Sequence, residues 1–486
     1  MTVPLARLIG EDAAVPQGAG SLAIHGLTSD SRAVKPGFLF AALPGSSVDG
    51  ARFIPQAIKA GAVAILAGEG VAADGAAVVT ARNPRQAFAR MAARFYGRQP
   101  DLIAAVTGTN GKTSVASFVR EIWTAMGFRA ASLGTVGVVA PSGFIELQHT
   151  TPDPVTLHEI AARLAEDHVE HLALEASSHG LDQYRLDGLR ISAGGFTNIT
   201  RDHLDYHPSF EAYFDAKMRL FEELLPLGAP VVVNMDTPHG AEVEKRCRAR
   251  GLNVFTVGEQ GTGLRLIHSE RDGFGQRLEI LGPNRRHTVL LPLVGGFQVS
   301  NALVAAGLVV ATGGEEVLAM HCLESLKGAR GRLELVARAS TGAPVFVDYA
   351  HTPDALDNAI QSLRPYVTGR LAVVFGCGGD RDRGKRPQMG AVATRLADRV
   401  YVTDDNPRSE DPAAIRREIM AASPGAIEIG GRAEAIRAAV ADLSSGDILL
   451  VAGKGHEEGQ KIGATVIPFS DHEAVKAAIA GVDDHG

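Results

Sequence analysis

The sequence has little cysteine: three residues in 486, Cys247, Cys322 and Cys377, far apart and with no CxxC pair. That excludes a disulfide framework and a cysteine-built zinc site, and a reducing compartment fits. A basic excess is also missing, since 48 Lys and Arg against 55 Asp and Glu leave a net charge of −7. Without the broad positive field that nucleic-acid binders use, an anionic ligand has to be held by a local site. No apolar run approaches the roughly 18 residues needed to span a membrane. The stretch Met1 to Gly20 carries Glu11 and Asp12 where a secretory leader needs a basic start and an apolar run. A cytoplasmic protein, neither exported nor membrane-embedded, is expected.

With 45% hydrophobic and 21% charged residues the chain is neither disordered nor a coiled coil. Its length corresponds to about three domains of ordinary size. Glycine is in excess, 55 residues without a tract or period, which suggests many tight strand-to-helix turns. Short Val/Ile-rich runs followed by helix-period segments are the pattern of parallel α/β units. Leu102 to Val106 reads as a buried strand; Val115, Phe118, Val119, Ile122 and Met126 then fall on one helical face. In the last third, strands are expected at Val345–Val347, Leu371–Phe375, Arg399–Val402, Ala426–Ile429 and Ile448–Val451. Polar clusters follow four of them: Asp348 and His351, Cys377 to Arg386, Asp404 to Arg408, and Gly453 to Glu457. In an open parallel sheet ligands bind outside the carboxyl ends of the strands, so these clusters point to one shared site. Pattern breaks at 98–101 and 327–331 suggest domains of 1–98, 99–330 and 331–486.

The strongest motif is Gly108-Thr109-Asn110-Gly111-Lys112-Thr113-Ser114. Backbone amides of such a loop surround phosphate oxygens, the lysine reaches the β/γ-phosphates, and Thr113 can ligand Mg²⁺. It is not a full Walker A, because Val106 stands where the standard spacing wants glycine. Glu175, in Glu175-Ala176-Ser177-Ser178-His179, ends an apolar run, and a carboxylate near a triphosphate suits Mg²⁺. His203 and His207, four apart, could share a helical face as a zinc pair, but no third ligand is evident and HExxH is absent. Lys217 reads by default as a solvated surface lysine. The guanine-reading Asn/Thr-Lys-x-Asp sequence of GTPases is absent, which favours an ATP-driven ligase.

Taken together the motifs resemble the Mur ligases over essentially the whole chain. The matches include Asp30-Ser31-Arg32, Asp49-Gly50, Gly108 to Ser114, Thr150-Thr151-Pro152, Glu175 to His179, Thr197 to His203, and Gly331-Arg332-Leu333-Glu334. They continue through Asp348-Tyr349-Ala350-His351-Thr352-Pro353, Gly376 to Pro387, Asp405-Asn406-Pro407-Arg408 and Gly453-Lys454-Gly455-His456-Glu457. One departure is Gln298, where the family usually has Asn; Asn301 is retained.

The resemblance implies a smaller α/β N-terminal domain that binds UDP, a central P-loop-type ATPase sheet, and a C-terminal Rossmann-like domain that binds an amino acid. It implies that ATP phosphorylates the terminal carboxylate of UDP-N-acetylmuramoyl-L-alanyl-D-glutamate, and that the amine of a diamino acid attacks the acyl phosphate. By the same resemblance Glu175 and His203 approach Mg²⁺ and Lys217 is carbamylated, with Lys112, Lys217 and His203 in catalytic roles. Ser31 and the Ser46-Ser47-Val48 loop fall to the uridine end, Thr150, Thr151, Ser177, Gln183 and Arg185 to the sugar and peptide, and Asn301 and Arg332 to ATP. Arg381, Asp405, Asn406, Pro407, Arg408, Gly453 and Glu457 fall to the amino acid, and Arg408 points to meso-diaminopimelate rather than lysine. A monomer with no nucleic-acid or membrane partner is expected. The alternative is a related ligase acting on a folate, against which the first ~98 residues argue, since such an enzyme needs no uridine module.

Overall fold

The computed structural model describes residues 2–45, 49–147, 149–204 and 206–481. The protein is α/β, as expected, and its chain groups into two compact units. One comprises Met1–Ile267, Glu279–His287 and Ser300–Leu323; the other comprises His268–Leu278, Thr288–Val299 and Glu324–Gly486.

In the first unit an antiparallel pair, Val3–Pro4 with Ala23–Ile24, and helix Leu5–Ile9 precede a four-stranded parallel sheet, Gly26–Thr28, Phe38–Ala41, Ala62–Ala67 and Ala77–Thr80, in chain order. Helix Pro84–Tyr96 follows. Asn83 caps it by accepting the Gln86 amide at 3.1 Å, Pro84 brings a preset φ to the first position, and Gly97 ends it at φ 75°. Phe88 and Met91 on this helix are wholly buried in one core with Leu39, Leu66 and Val79.

The larger sheet of this unit is built around the strand Leu102–Thr107, with His171–Glu175 on one side and Ile191–Phe196 on the other, all parallel. Ile103, Ala104, Ala105 and Val106 are wholly buried, because both faces of the sheet are covered; the strand therefore reads as a continuous apolar run rather than an alternation. Helix Lys112–Ala125 buries Val115, Phe118, Val119 and Ile122, as their spacing predicts. Met126 does not continue that face. It sits at the C-cap, half-buried, because the helix stops one residue earlier, and Trp123 takes an inward position at 1% exposure.

The second unit carries a sheet ordered Glu334–Arg338, Pro344–Asp348, Ile448–Ala452, Leu371–Phe375, Arg399–Val402, Ile427–Glu428. Its first strand is antiparallel and the other five are parallel. All five expected strands are there; the one expected at Ala426–Ile429 shortens to Ile427–Glu428. Parallel pairing puts the carboxyl ends of these five strands on one edge, so the four polar clusters share it. The last of the five in sequence, Ile448–Ala452, inserts next to the first, and the Gly453 amide donates to the Asp348 carbonyl at 3.0 Å. Among the described residues no helix is long and apolar enough to cross a membrane.

One ion pair lies wholly inside this unit. Arg432 donates from Nε and Nη2 to the two oxygens of Asp471, each at 2.7 Å, and from Nη2 to the Ala452 carbonyl at 3.0 Å, with both side chains at 0% exposure. It ties the starts of helices Arg432–Ala441 and Asp471–Ala480 to the end of strand Ile448–Ala452. Asp471→Asn leaves the guanidinium buried without its counter-charge, and the expected loss is about 3–5 kcal/mol in urea unfolding. Replacing both partners with apolar residues of similar volume is expected to restore most of it.

Candidate active site

The strand Leu102–Thr107 turns directly into Gly108–Ser114. Gly108 has φ 150° and Gly111 φ 87°. A Cβ on Gly108 would fall 2.0 Å from Thr197 Oγ1, and one on Gly111 2.3 Å from Asn301 Oδ1. Close approach therefore requires glycine at both positions, and it seats Asn301 against the loop. The Thr197-Asn198 segment braces the other side: Thr109 N donates to the Asn198 carbonyl at 2.9 Å and Asn110 N to Asn198 Oδ1 at 3.0 Å.

Two lysines converge on one oxygen of this loop. Lys112 Nζ donates to the carbonyls of Gly108 and Thr109 at 2.9 and 2.8 Å, and Lys217 Nζ donates to the same Gly108 carbonyl at 2.8 Å. The default reading of Lys217 as a surface lysine is wrong. It is 1% exposed on helix Phe210–Arg219, with its Nζ 4.4 Å from the centre of the Tyr213 ring. Burial, and then the charge of Lys112, push its pKa well below the usual lysine value, with Asp202 opposing. Sequence patterning missed this because helical position alone does not say that a helix is covered on both sides. Tyr213 OH and Thr109 Oγ1 share a hydrogen bond of 3.0 Å, which fixes the ring against the loop.

His203 and His207 do not share a helical face. Residues 201–204 are irregular and His203 sits in the left-handed region at φ 52°, its ring 4.9 Å from His179 and 6.1 Å from Tyr213. Among the described residues no group of three or more His, Cys, Asp or Glu is placed to hold a metal ion. This removes the zinc-pair reading and sets His203 beside the lysine-bearing loop.

Glu175 ends the strand next to Leu102–Thr107, and the Ala176 amide donates to the Val106 carbonyl at 2.8 Å. Its carboxylate is 1% exposed and accepts from Thr135 N at 2.7 Å and Thr135 Oγ1 at 3.1 Å. Both donors are neutral, so its charge has no cation against it among the described residues. Thr135 was not singled out from the sequence. Beside Glu175 the expected sugar and peptide residues form one network. Thr135 and Thr150 hydroxyls share a 2.9 Å bond, Thr151 Oγ1 donates to the Glu175 carbonyl at 2.8 Å, and Ser177 Oγ donates to Thr151 Oγ1 at 3.0 Å. Arg185 Nη1 donates to the Thr151 carbonyl and Nη2 to Gln183 Oε1, each at 2.7 Å; burial lowers the Arg185 pKa. Ser31 Oγ donates to Gln56 Oε1 at 3.2 Å in the four-stranded part. Ser46, Ser47 and Val48 lie outside the described residues.

In the second unit the carboxyl edge of the sheet gathers the remaining residues. Asp348 accepts the amides of Leu333 and Ala350 at 2.6 and 2.8 Å, and burial raises its pKa to about 6 against the pull of Arg332. Arg332 lies over the Tyr349 ring at 4.7 Å, and Gln298 Nε2 donates to the Arg332 carbonyl at 3.3 Å. Arg408 is held in the left-handed region at φ 51°, with Nη1 donating to the Gly379 carbonyl at 2.8 Å. A Cβ on Gly379 would meet the Pro407 oxygen at 1.9 Å, and one on Gly378 would meet Arg408 Nη1 at 2.7 Å. The glycine pair after Cys377 is what lets the two turns touch. Asn406 Nδ2 donates to Glu457 Oε2 at 2.8 Å, and the buried Lys454 Nζ donates to Asn406 Oδ1 and Glu457 Oε2, both at 3.1 Å. Asp405 Oδ2 is buried, lies near the space above Gly453, and accepts no hydrogen bond among the described residues. Arg381 is exposed and donates to the Asp380 carbonyl at 3.2 Å. Arg386, at the end of the Cys377-to-Arg386 cluster, is 0% exposed and braces that loop through Glu410 and Glu418 at 2.8 and 2.9 Å.

Comparison with known proteins agrees along the chain. The family profile of the Mur ligase middle domain matches residues 106–309, that of the Mur ligase glutamate ligase domain residues 331–455, and that of the Mur ligase family catalytic domain residues 23–96. The chain is 55% identical over 482 residues to the UDP-N-acetylmuramoyl-L-alanyl-D-glutamate–2,6-diaminopimelate ligase of Bradyrhizobium diazoefficiens, covering 98% of this chain and 99% of that one. It is 55% identical over 463 residues to the ligase of the same name from Mesorhizobium japonicum, covering 95% and 96%. A solved structure of a ligase of that name superimposes with a TM-score of 0.73 at 32% identity, covering 99% of each chain.

The environment of Lys217 sets a pH dependence. Its folded pKa lies below its unfolded value, so between the two the unfolded chain binds more protons and stability rises with pH. In CO₂-free buffer the wild type is therefore expected to gain urea stability relative to Lys217→Met between pH 7 and pH 9.5. A difference that stays flat across that range would mean that Lys217 is charged in the folded protein.

Proposed function

Because the chain belongs to the Mur ligase family, we propose that it is an ATP-dependent amide ligase adding meso-diaminopimelate to UDP-N-acetylmuramoyl-L-alanyl-D-glutamate in peptidoglycan precursor synthesis. The reading takes residues 1–98, 99–330 and 331–486 as three domains, and a cytoplasmic monomer acting without nucleic acid or membrane. Ser31 and the 46–48 loop take the uridine, Thr150, Thr151, Ser177, Gln183 and Arg185 the muramoyl peptide, and Lys112, the loop amides, Asn301 and Arg332 the ATP.

In the first step an oxygen of the substrate's terminal carboxylate bonds to the γ-phosphorus of ATP while the bond to the β,γ-bridging oxygen breaks, giving an acyl phosphate and ADP. In the second, the amine nitrogen attacks the acyl carbon, loses a proton, and the C–O bond to phosphate breaks. Two anions meet in the first step, so the barrier is set by charge that Lys112 and the amides of Thr109 to Ser114 must offset. Thr113 Oγ, His203, the Glu175 carboxylate and a carbamate on Lys217 are the groups that would hold Mg²⁺; they form no ready-made cluster among the described residues, and the buried, uncompensated charge of Glu175 is what supports the assignment. Mg²⁺ bound there would supply further neutralisation of the phosphates. A neutral Lys217 amine is the form that adds to CO₂, forming an N–C bond and releasing one proton, whereas an ammonium there would repel the cation.

The observation that carries the choice of amino acid is Arg408. It is held by backbone carbonyls alone, with no carboxylate in ion-pair range among the described residues, so its charge is available to the carboxylate that diaminopimelate has and lysine lacks. Glu457 and the unsatisfied Asp405 oxygen suit the ammonium of the same molecule. Phosphate release with each amino acid tests this. The wild type is expected to favour meso-diaminopimelate over L-lysine in kcat/KM by about 30-fold or more, and Arg408→Ala to lose that preference. Equal use of lysine by the wild type, or a preference kept by the variant, would overturn the assignment. Lys217→Ala is expected to fold and to lose most activity, with part returning in high formate; an alanine variant as active as the wild type would remove the carbamate from the reading.

A further inference from the structure

Gln183 and Arg185, both assigned to the muramoyl peptide, flank a residue in an unfavourable conformation. The short helix Ser178–Asp182 ends in a turn closed by two backbone bonds: the Tyr184 amide donates to the Leu181 carbonyl at 3.1 Å and the Arg185 amide to the Gly180 carbonyl at 2.8 Å. A helix end closed in this way places one residue in the left-handed region, where glycine is the usual occupant. Here that residue is Tyr184, at φ 58°. A bulky side chain crowds its own backbone there, so the turn persists only where its surroundings impose it. Across the turn Arg185 Nε and Nη2 both donate to Gln183 Oε1, at 3.2 and 2.7 Å, so the two side chains form one unit whose direction depends on the residue between them.

What imposes the conformation is Arg219, the last residue of helix Phe210–Arg219. Its guanidinium carbon lies 3.9 Å from the centre of the Tyr184 ring, and Nη1 donates at 2.8 Å to the Leu181 carbonyl, the same oxygen that accepts the Tyr184 amide. One side chain thus holds the turn by its ring and by its backbone. Asp187 directs it: Nη2 donates to Oδ1 and Oδ2 at 2.8 and 2.9 Å, with the two side chains 8% and 1% exposed. The other carboxylate paired with Arg219 among the described residues is the solvent-exposed Glu223, whose Oε2 stands 2.7 Å from Nε. Asp187 is fixed in turn by Gln86 Nε2, which donates to Oδ1 at 2.9 Å, and by His158 Nε2, which donates to its backbone carbonyl at 3.0 Å. Arg219 stands two residues after Lys217, and Asp187 two after Arg185, so one buried ion pair joins the lysine helix to the peptide-binding turn.

We propose, on the functional reading above, that Arg219 is a positioning residue for the nucleotide-sugar substrate: set by Asp187, its guanidinium holds Tyr184 left-handed and so fixes the direction in which Gln183 and Arg185 meet the peptide. The strained turn and the buried ion pair explain one another. A tyrosine can stand where glycine is usual because a cation covers its ring, and a planar, weakly hydrated guanidinium suits that face better than an ammonium. Without the guanidinium the turn relaxes, Arg185 parts from Gln183, and the substrate loses contacts away from its reacting atoms. The loss therefore falls on the KM for the nucleotide-sugar, while ATP, assigned to other residues, is unaffected.

The test uses two variants of the full chain. Arg219→Lys keeps a charge against Asp187 but not the planar contact; the double variant Asp187→Leu/Arg219→Met removes both buried charges together and leaves only the exposed Glu223. Each is made with and without Tyr184→Gly, since glycine adopts the left-handed conformation unaided. The KM for UDP-N-acetylmuramoyl-L-alanyl-D-glutamate is expected to rise about 10-fold in both, at unchanged KM for ATP, and to return to within about threefold of wild type once Tyr184→Gly is added. Glycine in place of tyrosine restores neither the ion pair nor its packing, so a purely structural role of Arg219 gives no such rescue. A rise that Tyr184→Gly leaves in place, an equal rise in the KM of ATP, or a nucleotide-sugar KM within about threefold of wild type in Arg219→Lys would overturn the proposal. Crystal structures read the turn without turnover. In the Arg219→Lys protein residue 184 is expected to leave the left-handed region and Arg185 to part from Gln183; a turn unmoved in that variant would overturn the proposal whatever the chain ligates. A turn that moves, in a chain whose wild type never ligates the dipeptide, would sink the functional reading and leave the hold of Arg219 on the turn standing.

Discussion

The carbonyl oxygen of Gly108 accepts hydrogen bonds from both Lys112 and Lys217, and much of the first unit is arranged around that convergence. Two ammonium groups on one buried oxygen repel each other, which favours the neutral form of the more buried amine. Lys112 lies at the start of a helix, while Lys217 is enclosed by Tyr213 and its own helix. Burial, with the charge of Lys112 beside it, therefore lowers the pKa of Lys217 and favours its neutral form. The lowered proton affinity of this lysine thus follows from packing first and from the neighbouring cation second.

The second unit solves a different problem by the same means. Its candidate site residues stand on turns at one sheet edge, and turns are ordinarily the loosest parts of a fold. Here they are stiffened by close approach. Gly378 and Gly379 let the loop after Leu371–Phe375 press on the Asp405–Arg408 turn, Arg386 braces the same loop through Glu410 and Glu418, and Lys454 joins Asn406 to Glu457. Arg408 is left in a strained left-handed conformation that its surroundings impose. A side chain held in this way is ordered before anything binds to it.

Binding surfaces and catalytic groups divide the glycines and arginines between them. Glycine appears where two segments touch, as at Gly108 with Thr197 and Gly111 with Asn301, and arginine where a buried carboxylate needs a fork of donors. Arg219 on Asp187 and Arg432 on Asp471 are the internal cases; Arg408 is held by backbone carbonyls, with no carboxylate in ion-pair range among the described residues. The overall charge of −7 conceals this local distribution.

The sequence by itself determined the strands of the last third to within a residue or two, the loop Gly108–Ser114 with its strand and helix, and the shared edge of the four polar clusters. These are local or periodic properties: an apolar run bounded by turn residues, a face repeating every three or four residues, a parallel order that lines up strand ends. It also carried the family likeness, because motif residues are contiguous in the chain. It did not determine that Lys217 is buried, that His203 and His207 leave the helix, or that Thr135 holds Glu175. Each of those depends on contacts between residues far apart in sequence, Lys217 with Gly108 across 109 positions and Thr135 with Glu175 across 40. Burial, and with it the pKa of an amine or the exposure of a guanidinium, is a property of what packs against a residue, and only the tertiary structure decides that.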